Sequence, residues 1–298
     1  INCTMYIKIN CPLCKSSEKK SIFHNVVWGG NKDEKFLICK KCDIVFIYPF
    51  PKNKQINDFY QHHYGSYMKE RSKEQEWDDL SKQFKILKKR DIPLRSPFLK
   101  KYLKKGNICD VGSSTGFMME HLKKKGFKVF GVEPSEEHRE FSEKKGFKVF
   151  KKIDDTNIKF DNVVNYYVLE HVHNPIFFIK NLLGLLKKNG RLILEVPNRN
   201  DFLLKQANLK SYKDFILQKM HVMNYSALSL KFLFDKFNIE YKILKGEKYS
   251  LDNHMNWLIN NKPGKIDFKL SNELKKNYSK MLIDNDLNDY FIVIATKK

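Results

Sequence analysis

No stretch of this 298-residue chain approaches the ~20 uninterrupted apolar residues that a membrane-spanning helix requires, although 42% of its residues are hydrophobic. An integral helical membrane protein is therefore not expected. A secretory leader is missing as well: Met5-Tyr-Ile-Lys-Ile runs straight into a cysteine pair, so a cytoplasmic location is expected. Ile1 to Thr4, Cys3 included, precede that methionine and carry no weight. Arginine is scarce, six among 56 basic residues, and the lysines are spread along the whole chain among many Asn, Ile and Phe. The formal net charge of +22 thus reads mainly as a solvated lysine surface that follows codon bias. A nucleic-acid partner is not expected, whereas a phosphate-bearing small acceptor would give some of those lysines a role.

The cysteines that are present fall into two pairs, Cys11-Pro-Leu-Cys14 and Cys39-Lys-Lys-Cys42, 24 residues apart. Two such knuckles offer four thiolates to one tetrahedral, soft-liganded metal, most often Zn²⁺. The gap has room for a hairpin, and Phe36 to Ile38 and Ile44 to Ile47 read as its strands. With four protein ligands the metal has no open position, so a structural zinc ribbon over residues 1–50 is expected. Disulfides would need an oxidising compartment that nothing here supports. Cys109 reads as a small buried hydrophobe.

The strongest signal lies further along. Ile108, Cys109 and Val111 form a short apolar run that breaks at Asp110-Val-Gly-Ser-Ser-Thr-Gly116, and a helical pattern follows with Phe117, Met118, Met119 and Leu122. Val129, Phe130 and Val132 then make a second strand that ends in Glu133-Pro134. Gly112 and Gly116 let backbone approach a ligand, the helix start offers unpaired N–H groups, and Glu133 can accept both hydroxyls of a ribose. A dinucleotide site would need a third glycine at a fixed offset, and there is none. Lys124 to Phe130 recurs 20 residues later as Lys144 to Phe150, each copy a helix end, a glycine cap and a strand. Two adjacent βα units with right-handed crossovers give a parallel α/β sheet of Rossmann type. Further strands are expected at 162–166, 191–196, 241–244 and 290–296.

With Phe160-Asp161, the run Val168-Leu169-Glu170-His171-Val172 to Asn174-Pro175, and Leu186-Lys-Lys-Asn-Gly190, these motifs resemble the class I S-adenosylmethionine-dependent methyltransferases from about residue 105 to the C-terminus. Ser114 stands where that family has its middle glycine. The resemblance implies a seven-stranded sheet over residues 105–298, with Tyr290 to Thr296 as its last, antiparallel strand. Acceptor-pocket insertions are expected at 197–235 and 250–288, and a helical linker or lid at 51–104. It also implies cofactor contacts from Asp110, Gly112, Ser113, Ser114, Gly116, Phe117, Glu133, Pro134, Asn165 and Tyr166. In the linker, Phe59-Tyr60-Gln-His62-His63-Tyr64-Gly65-Ser66-Tyr67 offers Tyr67 to the cofactor and Tyr64 to the acceptor, while His62 and His63 read as exposed helix residues.

Methyl transfer requires the alignment of nucleophile, carbon and sulfur, plus a base where the acceptor is a hydroxyl. Candidates are His171 first and His221 second, because imidazole titrates near ~6.5. Glu170 stands beside them as a loop-fixing or assisting carboxylate. Ribbon, aromatic linker and Glu170-His171 together resemble methyltransferases that act on activated sugars in antibiotic or surface-polysaccharide (capsule) pathways. The large extra C-terminal domain of that subgroup's sugar C-methyltransferases is missing, so O- or N-methylation of a sugar or glycan substituent is the expectation. Two other readings remain open: a zinc-ribbon rRNA or tRNA methyltransferase, and a non-catalytic binding protein on this fold. Neither an Asn-Pro-Pro-Tyr motif nor a Pro-Cys nucleophile supports the first.

Overall fold

The computed structural model describes residues 6–59, 63, 66, 67, 69, 77 and 79–298. Tyr64 and His62, singled out above, lie outside the described residues. The chain opens with β1 (Tyr6–Ile7), β2 (Lys20–His24), β3 (Lys35–Cys39) and β4 (Ile44–Tyr48), each antiparallel to the next. Both knuckles close with the same turn: Lys15 N–H donates to Cys11 O and Asp43 N–H to Cys39 O, and Lys15 and Asp43 each take a positive φ. After a short helix, α1 (Asn53–Asp58), comes the 23-residue α2 (Leu80–Tyr102). Asp79 caps it by accepting from the N–H groups of Ser81 and Lys82.

Alternating βα units then follow: β5 (Asn107–Val111), α3 (Phe117–Lys124), β6 (Lys128–Val132), α4 (Glu136–Glu143), β7 (Lys148–Phe150), β8 (Phe160–Tyr166), α5 (Pro175–Leu185) and β9 (Leu186–Pro197). The remainder contains α6 (Lys210–Ile216), β10 (Met223–Asn224), α7 (Ala227–Phe234), β11 (Ile239–Gly246), α8 (Leu251–Asn260), α9 (Asn272–Asp284) and β12 (Tyr290–Lys297). Seven strands form one sheet in the order β11-β12-β9-β8-β5-β6-β7. The five from β9 to β7 are parallel, and β12 runs antiparallel to both neighbours. The repeated segment supplies β6 and β7, which pair side by side after left-handed Gly126 and Gly146. Central strands are apolar on both faces because helices cover both: Val163, Val164, Leu192, Ile193 and Leu194 are all fully buried. Each such side chain contributes roughly 1.5–3 kcal/mol of burial.

Two features shape the site. The ribbon sheet continues through β4 into β10, with Met223 opposite Phe46 and Asn224 opposite Val45. One apolar core therefore runs from Cys11, Phe36 and Phe46 through Val222 and Tyr225 to Leu194 and Val293. The second feature is α2, whose composition is polar but whose inward face carries Gln83, Phe84, Leu87, Asp91, Arg95 and Leu99 at helical spacing. It packs against α3 and walls the C-terminal end of the parallel strands, where open α/β sheets bind their ligands.

Candidate active site

A cavity of about 520 Å³ opens at that end of the sheet, between β5, β6 and β8, helix α2, the segment after β9 and the turn before β10. Its floor is the glycine turn. Gly112 has φ +80°, and a Cβ there would come within 2.4 Å of Val168 Cγ2, so only glycine lets the turn sit this close to the β8 loop. Ser114 adopts φ +48°, a left-handed conformation that costs a non-glycine residue roughly 1–2 kcal/mol. That cost is offset in place: Ser114 N–H donates to Glu133 Oε2 (2.8 Å), and Ser135 N–H donates to Glu133 Oε1 (3.0 Å). Glu133 is buried, which raises its pKa, while these two N–H groups favour its charge. Each carboxylate oxygen keeps a second acceptor direction for a ligand hydroxyl.

Asp110 is buried at the end of β5; Oδ1 finds no hydrogen-bond partner among the described residues. Burial, opposed by Arg95 and reinforced by Glu133, pushes its carboxyl up to about 7. Ser113 Oγ is likewise buried and unpartnered. Phe117, Pro134 and Tyr166 complete this wall. Gly116 and Asn165 do not line it. Gly116 caps α3 in the left-handed region, and Asn165 Nδ2 donates to Val111 O (2.8 Å), locking β8 to β5 behind the floor.

Beside the turn, His138 of α4 bridges Ser135 and Gln83: Nε2 is 3.0 Å from Gln83 Oε1, which can only accept from it, leaving Nδ1 to accept from Ser135 Oγ. Burial pushes this imidazole down to about 4. The unfolded chain, with its histidine near ~6.5, then binds the extra proton first, so this contribution is intact above pH ~6.5 and is lost as pH falls toward 4. His138→Gln is expected to lose less stability than the parent between pH 7 and pH 5, by on the order of 1–2 kcal/mol in urea unfolding. An equal loss in both proteins would show that His138 is not held neutral.

Charged residues that the motifs did not point to occupy the next wall. Arg95 is 4% exposed; its Nε donates to Glu195 Oε2 (2.8 Å) and its guanidinium lies 4.2 Å from the centre of the Tyr166 ring. Asp91 accepts from Arg90 (2.6 and 3.0 Å) and lies 3.7 Å from Lys248 Nζ. Burial would raise the Asp91 carboxyl, but Arg90, Lys248 and Arg95 hold it at about 2. Burial pushes Lys248 down to about 8. Three of the six arginines, Arg90, Arg95 and Arg199, line this cavity, which their scarcity, read as codon bias, did not indicate.

The opposite wall brings together Glu170, His171 and His221. Glu170 and His171 lie on a single 3₁₀ turn after β8, and His221 comes from the turn before β10. His171 Nδ1 sits 2.7 Å from Met220 O. A carbonyl only accepts, so Nδ1 carries the proton and Nε2 the lone pair. Glu170 Oε1 is 3.9 Å from that Nε2, and burial pushes the Glu170 carboxyl up to about 8. His221 Nε2 accepts from Gln218 Nε2 (2.8 Å), and Gln218 Oε1 accepts from Tyr67 OH. Tyr67 thus lines the cavity through Gln218, packed edge-on against Trp28 and Phe59. His173 packs on Phe50, and exposed His63 faces Asp58.

The four cysteines meet in the ribbon. Cys11 Sγ lies 3.6 Å from Cys42 Sγ and Cys14 Sγ 3.6 Å from Cys39 Sγ, with all four sulfurs within 4.8 Å. A tetrahedral ion with bonds of ~2.3 Å separates its sulfurs by about 3.8 Å, whereas a disulfide needs ~2.05 Å. The set fits a metal ion. Its second knuckle meets the cavity through Arg199, which lines it: Arg199 Nε donates to Asp43 O (3.0 Å), and the same guanidinium pairs with the Asp43 carboxylate.

Among the described residues no helix is long and apolar enough to cross a membrane. Comparison with known proteins gives one family match, to the methyltransferase domain, over residues 50–242. This match starts at the end of the ribbon, so it includes α2. The chain is 27% identical over 246 residues to the ubiquinone biosynthesis O-methyltransferase of Pelagibacter ubique, a match covering 71% of this chain and 93% of that one. It is 31% identical over 120 residues to the enzyme of the same name from Coxiella burnetii, covering 36% of this chain and 51% of that enzyme. In fold it is similar to an S-adenosylmethionine-dependent methyltransferase of Archaeoglobus fulgidus, with TM-score 0.51, 20% identity, and coverage of 79% of this chain and 100% of that one. With the family match spanning most of the chain and the seven-stranded sheet in place, the chain belongs to the methyltransferase domain family and is an S-adenosylmethionine-dependent methyltransferase.

Proposed function

We propose that the cavity joins the cofactor to a small-molecule hydroxyl and that the enzyme is an O-methyltransferase. The observation that carries this reading is the placement of the His171 Nε2 lone pair on the same cavity as the Asp110–Glu133 floor. Bound S-adenosylmethionine supplies an electrophilic methyl group on a sulfonium. Glu133 accepts its ribose hydroxyls, and Asp110 and Ser113 line the turn that its amino-acid end approaches. Gly112, Ser114, Phe117, Pro134 and Tyr166 shape the floor around it. On the far wall, His171 Nε2 takes the acceptor proton while Nδ1–H stays on Met220 O, so the ring cannot turn away during transfer. Glu170, 3.9 Å from Nε2, is positioned to stabilise the imidazolium that forms. His221, tethered through Gln218 to Tyr67, positions the acceptor. Cys11, Cys14, Cys39 and Cys42 hold a structural Zn²⁺ that fixes Asp43, and through it Arg199, at the cavity edge. Domains run as ribbon 1–50, helical linker 51–104 and methyltransferase 105–298, in a cytoplasmic enzyme.

His171→Ala is expected to leave binding of S-adenosylhomocysteine and thermal stability unchanged while lowering turnover at least about tenfold, within the ~10²- to 10⁴-fold range of general-base loss. An unchanged rate would remove His171 as the base.

For the acceptor, the resemblance of ribbon, linker and Glu170-His171 supports a nucleotide-activated sugar. A second reading, an aromatic hydroxyl, is favoured by the apolar lining of Phe59, Leu204, Ile216 and Met220 and by the names of the O-methyltransferase relatives. Incubation of metabolite extracts with methyl-labelled cofactor and mass spectrometry of the products separates them. Label confined to RNA would overturn both.

A further inference from the structure

Arg199 lines the cavity and is anchored by the ribbon, yet that anchoring does not use the whole guanidinium. Its Nε donates to Asp43 O at 3.0 Å, and Nη2 pairs with the Asp43 carboxylate. The Phe23 ring centre lies 5.6 Å from the guanidinium carbon, so two ribbon residues hold the group in place. Nη1 carries two N–H groups and has no hydrogen-bond partner among the described residues. The side chain is only 9% exposed, and a cationic nitrogen at that depth gains most from an oxyanion. Its place is on the acceptor side. Arg199 N–H donates to Tyr225 O (2.8 Å), and the adjacent Asn224 donates from Nδ2 to His221 O (3.1 Å), so short contacts lead from Arg199 to the wall of His221 and His171. Asp201 lies in the same turn as Arg199, its N–H on Asn198 O. Burial pushes the carboxyls of Asp201 and Glu170 up to about 8, so at neutral pH neither brings a full negative charge to this side. The other cations of the cavity, Arg90, Arg95 and Lys248, are engaged by Asp91 and Glu195.

We propose that Arg199 is a specificity residue for the acceptor: its Nη1 binds an oxyanion, a phosphate or a carboxylate, carried by the molecule whose hydroxyl is methylated. This rests on the reading of the His171 and His221 wall as the acceptor side. Asp43 takes the Nε and Nη2 side of the fork, which leaves Nη1 for the ligand. The phosphate of an activated sugar and the carboxylate of an aromatic acid both present such an oxygen; a neutral acceptor does not. Asp43 follows Cys42 directly, so the second knuckle sets where that anion sits. The ribbon thereby has a part in choosing the substrate as well as in bracing the fold.

The experiment is calorimetric titration of the intact, zinc-loaded chain, with and without S-adenosylhomocysteine, at an ionic strength of about 0.15 M to screen the surface lysines. Uridine diphosphate and 4-hydroxybenzoate are the charged probes, and uridine and phenol are their uncharged counterparts. The wild type is expected to bind one charged probe, at one site per chain, at least about tenfold more tightly than its counterpart. Which probe it prefers tells phosphate from carboxylate. Arg199→Gln is expected to erase the preference with S-adenosylhomocysteine affinity unchanged. Arg199→Lys keeps the charge and is expected to retain part of the preference; it decides the matter if Arg199→Gln unfolds, which melting temperature and zinc content report. No preference in the wild type, or an undiminished preference in the folded variants, would overturn the subsite. Failure of S-adenosylhomocysteine to bind would count against the cofactor floor instead, so the two failures are distinguishable.

Discussion

Cys42→Ser is expected to release the ribbon metal, to lower stability by several kcal/mol, and to abolish methyl transfer along with it. All four sulfurs belong to one cluster, and Cys11, Cys39 and Cys42 are fully buried. A structural zinc site contributes an apparent ~10–16 kcal/mol of binding free energy that is available only to the folded ligand set, and loss of one thiolate forfeits much of it. In a free-standing ribbon the damage would stop at the ribbon. Here it spreads, because β4 pairs with β10 and the ribbon core is continuous with Val222, Tyr225 and Leu194 of the larger domain. Met220 and His221 lie just before β10, and Arg199 is tied to Asp43 in the second knuckle. Loss of the metal therefore loosens the Met220 carbonyl that orients His171. Zinc content and thermal unfolding of Cys42→Ser and of chelator-treated wild type test this. Full zinc-free stability would show that the four cysteines are mere core residues.

Glu133→Ala is expected to weaken S-adenosylhomocysteine binding about 100-fold, corresponding to roughly 3 kcal/mol for losing charge-assisted hydrogen bonds in a buried site. The carboxylate acts twice. It holds the left-handed Ser114 and the Ser135 N–H in place, and it faces the cavity where the ribose hydroxyls would lie. Glu133→Gln separates the two roles. One amide oxygen can still accept, but the NH₂ opposes a backbone donor, so an intermediate loss of about tenfold is expected. Calorimetric titration of both variants checks the order; equal affinity in all three proteins would place the ribose elsewhere.

The parts that were legible in the sequence are those whose chemistry is local. Cys11 to Cys14, Cys39 to Cys42, the Gly112 turn and the repeated Gly126 and Gly146 segments each need only a few neighbouring residues, and all lie in the expected kinds of structure. The final antiparallel strand was legible too, since Tyr290 to Thr296 is a single apolar run. What could not be read depends on distant partners. The two residues of β10 carry no periodicity, so nothing foretold that the ribbon sheet would run into the insertion after β9. In α2, Asp91 and Arg95 look like solvated charges in a polar helix; Glu195, a hundred positions from Arg95, and Lys248, further still, join Arg90 in making their burial tolerable. Lys248 was likewise one lysine among 50 until the fold set it beside Asp91. Gly116 and Asn165, expected as cofactor contacts from their motif positions, also have a bracing part that the motif does not show: Gly116 caps α3 and Asn165 ties β8 to β5.

We propose that the Asp110–Glu133 floor binds the cofactor and that the Glu170, His171 and His221 wall acts on the acceptor across one cavity. This is tested most directly by titrating the folded, zinc-loaded wild type and His171→Ala with S-adenosylhomocysteine in a calorimeter. One site per chain, with the same micromolar-range affinity, is expected in both proteins. No binding to the wild type, or loss of binding on removing His171, would contradict it.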